Sequence, residues 1–219
     1  MKKFLLFTTT LFIALFWSGC AKEKHIWKIN GNSHFNKYQT FLLKGDNFKA
    51  RYYLEYAIKE AKNSSNLVDL ATMHLGSCAM QRALFSNEAC TAYDALAPHV
   101  HNDVLSTYKD FLFAVPLDAA KLPPKYHVVY KTIQAQNPEV LLDKIKNLPT
   151  PFAQAIAANV AARNGVMSLE LIDYMIERAS IFGYKALMME WMRQKISFLR
   201  RTGREKEAIT QEVFLKEIE

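Results

Sequence analysis

Residues 184–199 read YKALMMEWMRQKISFL, and this stretch decides the fold class. One apolar stripe follows the spacing of a helix and consists of Met188, Met192, Ile196 and Leu199. A second stripe lies beside it and consists of Tyr184, Leu187, Trp191 and Phe198. A helix that is apolar around so much of its circumference needs neighbours on two sides. The stretch therefore predicts a helix packed among other helices.

Helix starts are marked elsewhere in the chain by capping residues. Asn137-Pro138 and Thr150-Pro151 each place a capping side chain before a proline at the first helical position. Thr202 and Glu205 have the spacing of a capping box. With only seven glycines and seven prolines in 219 residues, the chain has few breaks between such starts.

The sequence as a whole predicts an all-α protein without strands. The apolar period is helical between the capping residues and the prolines. The predicted helices cover residues 35–44, 47–62, 67–84, 87–97, 102–114, 124–135, 138–147, 151–163, 168–181, 184–201 and 203–218.

Three segments resemble units of the tetratricopeptide (TPR) repeat. The first segment is residues 45–50, GDNFKA, followed by Leu54 and Ala57. The second contains Leu75-Gly76, followed by Ala89 and Tyr93. The third is residues 203–208, which repeat the glycine-to-alanine spacing of residues 45–50. Residues 100–180 contain no such unit. The resemblance implies antiparallel helical hairpins stacked as a short α-solenoid over residues 35–219. An irregular helical bundle is the alternative.

The predicted helix over residues 47–62 carries two different stripes. Its packing stripe consists of Ala50, Leu54, Ala57 and Ala61. Phe48, Tyr52 and Tyr56 lie roughly 200° away around the helix axis. These aromatic residues are candidates for a partner-binding surface, because aromatic side chains are enriched at binding hot spots. Packing against an adjacent hairpin is the alternative.

The N-terminus has the pattern of an export signal. Lys2 and Lys3 precede an apolar run from Phe4 to Trp17, and this run is shorter than the ~20 residues of a membrane-spanning helix. Residues 16–20, FWSGC, resemble the lipobox of bacterial lipoproteins. The resemblance implies a signal peptide over residues 1–19, acylation of Cys20 and a polar tether over residues 20–34.

The resemblance also implies a location and a type of partner. Ala21 stands where Asp favours retention in the inner membrane, which implies an outer-membrane lipoprotein facing the periplasm. Removal of the signal peptide lowers the formal net charge of +7 by the two lysines Lys2 and Lys3. The positive net charge that remains is compatible with binding to anionic lipid, peptidoglycan or an acidic protein surface. The same charge is equally compatible with a role in solubility alone.

Two cysteines remain after Cys20, namely Cys78 and Cys90. The oxidising periplasm permits them to form a disulfide. If the chain turns near Phe85, both lie at a comparable distance from the turn. The alternative is that both are small buried apolar residues.

No motif predicts catalysis or a cofactor. His99 and His101 lack a second pair of ligands at zinc spacing, and no phosphate-binding glycine loop or serine-nucleophile element is present. We therefore expect no enzymatic activity, metal, small-molecule substrate or nucleic-acid partner. The expected function is that of a lipid-anchored scaffold for envelope proteins, as in outer-membrane biogenesis or a flagellar or secretion apparatus. An envelope enzyme or enzyme activator acting on peptidoglycan is the alternative.

Overall fold

A computed structural model describes residues 25–219, and in this range it consists of helices and turns without strands. The α-helices are α1 (Ile26–Lys44), α2 (Asn47–Lys62), α3 (Leu67–Ala83), α4 (Thr91–Asp94), α5 (Asp103–Leu112), α6 (His127–Gln134), α7 (Pro138–Lys146), α8 (Pro151–Arg163), α9 (Leu169–Ile181), α10 (Lys185–Arg201) and α11 (Glu205–Ile218). Short 3-10 turns cover Ala97–His99, Ala119–Lys121 and Pro124–Tyr126. The all-α prediction is confirmed.

Capping side chains begin α7 and α8 where the sequence predicts. The side chain of Asn137 accepts a hydrogen bond from the backbone N–H of Val140 at 3.1 Å. Thr150 Oγ1 accepts one from the backbone N–H of Ala153, also at 3.1 Å. Each bond satisfies an N–H that has no partner within its own helix.

Three predicted boundaries are wrong. Thr202 ends α10 rather than starting α11, because its hydroxyl donates to the carbonyl of Phe198 at 3.0 Å. α1 begins at Ile26 rather than at residue 35, so residues 26–34 of the predicted tether are helical. The helix predicted over residues 87–97 shortens to the single turn of α4.

α10 has neighbours on two sides, as its two stripes predict. Tyr184, Leu187 and Trp191 are buried in the main core. On the other stripe, Met192, Ile196 and Leu199 form a second buried cluster with Ala208 and Leu215 of α11. α10 also packs on α9 and α1.

The helix order in space differs from a simple linear stack. Neighbouring pairs such as α1 and α2, α9 and α10, and α10 and α11 pack together. In addition, α3 packs on α8. The contact of α10 with α1 brings the C-terminal part of the described chain against its N-terminal helix. In a linear solenoid each unit contacts only the units before and after it. The stacked-solenoid arrangement is therefore not confirmed.

The α1–α2 hairpin has a two-residue link. Gly45 takes the left-handed conformation that ends α1, with φ of +86°. The carboxylate of Asp46 accepts a hydrogen bond from the backbone N–H of Lys49 at 3.0 Å and starts α2. Gly31 lies against the far end of α2, where an added Cβ would approach Glu60 Cβ to 3.4 Å. The two helices therefore run side by side over most of the length of α2.

Cys78 of α3 and Cys90 at the start of α4 form a disulfide, and their Cα atoms are 5.4 Å apart. The chain turns between them at Phe85, which has a φ of +60°. Cys90 is buried, and Cys78 is half-buried against the main core. The bond fixes the segment between α3 and α4.

Replacing both Cys78 and Cys90 by Ala should lower the free energy of unfolding by about 3 kcal/mol, because the bridge restricts a short loop of the unfolded chain. Urea unfolding followed by circular dichroism measures this loss. Reductant should destabilise the native sequence by a similar amount and leave the double variant unchanged. If the protein with the native sequence is unfolded without reductant and both Cys78 and Cys90 then react as free thiols, the disulfide is contradicted.

Within residues 25–219, no helix has both the length and the apolar character needed to cross a membrane.

Candidate protein-binding surface

The aromatic stripe of α2 points away from the core. Phe48 is 73% exposed, Tyr52 is 47% exposed and Tyr56 is 39% exposed. On the opposite side of the helix, Ala50 and Ala57 are buried against the rest of the fold. Within residues 25–219 no adjacent hairpin covers the aromatic residues, so packing against a hairpin of this part of the chain is wrong.

Contacts between rings join Tyr52 and Tyr56 of this stripe to two neighbouring rings. The rings of Tyr52 and Tyr56 have centroids 4.7 Å apart, and Tyr52 meets Tyr53 edge-on at 5.3 Å. His34 of α1 lies 5.4 Å from Tyr56 and 6.0 Å from Tyr53. We call His34, Phe48, Tyr52, Tyr53 and Tyr56 the aromatic surface.

Tyr53 holds the aromatic surface to α1. Its ring is half-buried and stacks on Phe41 with a centroid distance of 5.4 Å and an interplanar angle of 6°. The Lys37 ammonium lies 5.2 Å from the Tyr53 ring centroid. Stacking and cation–π contacts of this kind fix the orientation of a ring. The exposed tyrosines therefore rest on an ordered base.

The groups around the aromatic surface are polar and basic. The Lys49 ammonium lies 5.2 Å from the Phe41 ring centroid and 3.0 Å from the Asp46 carboxylate. The hydrogen bond from the Lys49 backbone N–H holds the pKa of Asp46 below its usual value. The Tyr56 hydroxyl raises the pKa of Tyr52 above its usual value of 10.0. Tyr52 therefore stays a neutral hydrogen-bond donor at physiological pH.

Two of these five residues, His34 and Tyr53, were missed by the sequence interpretation. His34 and Tyr56 are equally distant in sequence from Gly45, so folding the chain back at Gly45 brings them opposite each other. That symmetry is a signal the sequence does contain. His34 Nδ1 is buried and has no hydrogen-bond partner among the described residues.

The arginines at the C-terminal end offer a weaker candidate site, because their charges are matched within the chain. Arg193 pairs with Glu219 at 2.7 Å and Arg200 with Glu212 at 2.8 Å. Arg204 pairs with Glu207 at 2.7 Å. A partner carboxylate would have to displace these ion pairs.

His99 and His101 were not predicted to bind a metal. His99 ends a 3-10 turn, and residues 25–219 contain no cluster of three or more histidine, cysteine or acidic side chains able to hold a metal ion. Cys20 lies outside the described residues, as do the lipobox and the start of the tether.

Comparison of the chain with protein-family models, curated protein sequences and solved structures finds no match. A function is therefore inferred from the residues of the chain itself.

Proposed function

We propose that this protein is a lipid-anchored periplasmic scaffold that holds an envelope protein on the aromatic surface of α1 and α2. The observation that carries the proposal is the exposure of Phe48, Tyr52 and Tyr56 on one side of α2, with the rings of Tyr52 and Tyr56 in contact. Large aromatic side chains lose little conformational entropy on binding and bury much apolar area, which makes them frequent hot spots. The exposure of three large aromatic side chains to water contributes nothing to the stability of the fold.

The anchor in this proposal is the acylated Cys20. Two or more acyl chains hold a protein stably on a membrane, since each buried methylene contributes ~0.8 kcal/mol. Residues 21–25 separate Cys20 from the start of α1. A fully extended chain of this length spans at most roughly 20 Å. The α1–α2 hairpin would therefore act close to the membrane surface.

The class of partner follows from the same residues. Ala21 favours the outer membrane by resemblance to sorted lipoproteins, so the partner would be an envelope protein facing the periplasm. The Gly45 turn and the buried alanines of α2 support a TPR-like relationship for the α1–α2 hairpin. TPR hairpins commonly present a surface to another protein. Components of outer-membrane biogenesis, flagellar or secretion assemblies fit this description.

Replacing Tyr52 and Tyr56 together by Ala should remove partner crosslinks in cells and leave the fold almost unchanged. Both side chains are already exposed, so their truncation costs little burial. A photoreactive amino acid at the exposed position Phe48 measures the crosslinks, and thermal unfolding measures the fold.

The matched control replaces Val213 and Phe214 of α11 by Ala, because these residues are also exposed apolar side chains. This variant should keep the crosslinks at position 48. Equal crosslinking in both variants and in the native sequence would refute the binding role of the aromatic surface. A photoreactive residue at position 214 should capture no partner that depends on Tyr52 and Tyr56.

A further inference from the structure

A cavity of about 560 Å³ lies away from the aromatic surface, between α1, α3, α5, α8 and the 3-10 turn that precedes α6. Its size is within the range of small-molecule binding sites. Most of its wall is apolar, and the rings of Phe35 and Phe152 and the side chain of Ile156 contribute to it. These side chains can enclose the apolar body of a ligand.

Gly76 of α3 sets the position of one wall. A Cβ built on Gly76 would lie 2.8 Å from Phe35 Cζ, which is closer than real Cβ contacts. The absence of that atom lets the Phe35 ring rest against the backbone of α3. The ring therefore forms a wall of the cavity rather than being pushed across it.

One buried polar group in the cavity wall has no partner. Tyr126 is 1% exposed, and its Oη has no hydrogen-bond partner among the described residues. Its ring stacks on that of Tyr108 at 5.6 Å, and both tyrosines line the cavity. Burial raises the pKa of Tyr108 to about 12 and that of Tyr126 well above 10.0. Both hydroxyls therefore stay neutral, and the tyrosine pair adds no negative charge to the wall that would repel an anion.

The cavity also holds one cation and no acidic residue in its described wall. The Lys125 ammonium lies 5.1 Å from the Tyr126 ring centroid. Burial of the amino group lowers the pKa of Lys125, and no ion pair involving it occurs among the described residues. An anion here would gain a charge-assisted hydrogen bond and relieve the desolvation of the ammonium.

We propose that this cavity binds a small amphipathic molecule with a single anionic head group and an apolar body. The head lies at the Lys125 ammonium, and the body lies against Phe35, Phe152 and Ile156. The absence of acidic side chains from the wall disfavours a cationic ligand. This site goes beyond the proposed scaffold function and does not depend on it.

The test uses a dodecanoate that carries a photoreactive diazirine, applied to the full-length protein in a neutral detergent. Mass spectrometry should place the adducts on peptides that contain Phe35, Phe152 or Ile156. Replacing Lys125 by Met should raise the half-saturating concentration at least tenfold, since a charge-assisted hydrogen bond in a partly desolvated site is lost. Tyr126→Phe keeps the stacked ring and the apolar wall, so it should be labelled like the native protein.

Lys131→Met is the matched control, because Lys131 is an exposed lysine of α6 that does not line the cavity. This variant should be labelled like the native protein. Unchanged labelling of Lys125→Met, or adducts spread over peptides remote from the cavity, would overturn the proposal.

Unlabelled competitors distinguish the head groups. Dodecanoate and dodecyl phosphate should compete, and the stronger of the two identifies the carboxylate or the phosphate as the preferred anion. Dodecanol has the same chain without the charge and should compete at least tenfold more weakly. Equal competition by dodecanol would overturn the requirement for an anionic head.

Discussion

Replacing Cys20 by Ala should abolish lipid labelling and release the protein from membrane fractions. The lipobox resemblance implies that the Cys20 sulfur carries the diacylglycerol. Alanine has no such group, so the variant has no site for the lipid. Without the acyl chains, the attraction of ~0.8 kcal/mol per buried methylene is lost. Residues 22–28 include three lysines and one glutamate, and they offer little apolar surface in exchange. Incorporation of labelled palmitate and cell fractionation measure the effect.

Cys78→Ala serves as the control for this experiment, because it removes a thiol from the folded region and leaves Cys20 in place. It should remain labelled and membrane-bound. Undiminished palmitate incorporation in the Cys20 variant would refute the proposed lipid anchor, and the proposed scaffold would then need another means of attachment.

Replacing Trp191 by Ala should lower the free energy of unfolding by about 3–5 kcal/mol, the usual range for truncating a fully buried Trp. Trp191 is completely buried in α10, and its ring meets the Phe85 ring edge-on at 5.1 Å. The loss would affect the contacts of α10 as well as the turn between α3 and α4. Urea unfolding followed by circular dichroism at 222 nm is the appropriate measurement.

Trp191→Phe is the informative companion. Trp191 Nε1 is buried and has no hydrogen-bond partner among the described residues. Phe removes that donor and keeps an aromatic ring, so it should cost less than half as much as Ala. A loss from Trp191→Ala no larger than that from Phe214→Ala, at an exposed position, would contradict the core role of α10.

Local features of the fold could be predicted from the sequence. Thr150 and Asn137 cap helices through side chains that reach a backbone N–H three residues later, so the necessary information is contained in a few neighbouring residues. The two apolar stripes of α10 also predict that this helix is buried on two sides. Thr202 misled the interpretation, because a threonine hydroxyl bonds equally well to the carbonyl of the preceding turn.

Long-range arrangement could not be predicted in the same way. The contact of α10 with α1 joins segments that no sequence period relates, and hydrophobic spacing identifies a buried face without naming what covers it. The start of α1 at Ile26 was not predicted, because polar residues such as Asn32 and Ser33 interrupt the helical spacing of its apolar residues. Its support comes from α2, where Gly31 permits the close approach.

The two sites differ in how far the sequence indicates them. Phe48, Tyr52 and Tyr56 lie on one helix at four-residue spacing and are found directly. The cavity draws Phe35, Gly76, Tyr108 and Lys125 from four separate elements, so no local pattern marks it. Only the folded arrangement brings Phe35 and Gly76 opposite Tyr108 and Lys125.

The packing of α10 on α1 also has a consequence for the order in which the chain acquires its structure. Ribosomes and export channels deliver a polypeptide from its N-terminus, and the α1–α2 hairpin can form early because its contacts are local. The side of α1 that meets α10 stays uncovered until almost the whole polypeptide has emerged. During that interval the nascent chain exposes apolar surface, and this is the period when a chaperone would have most to shield.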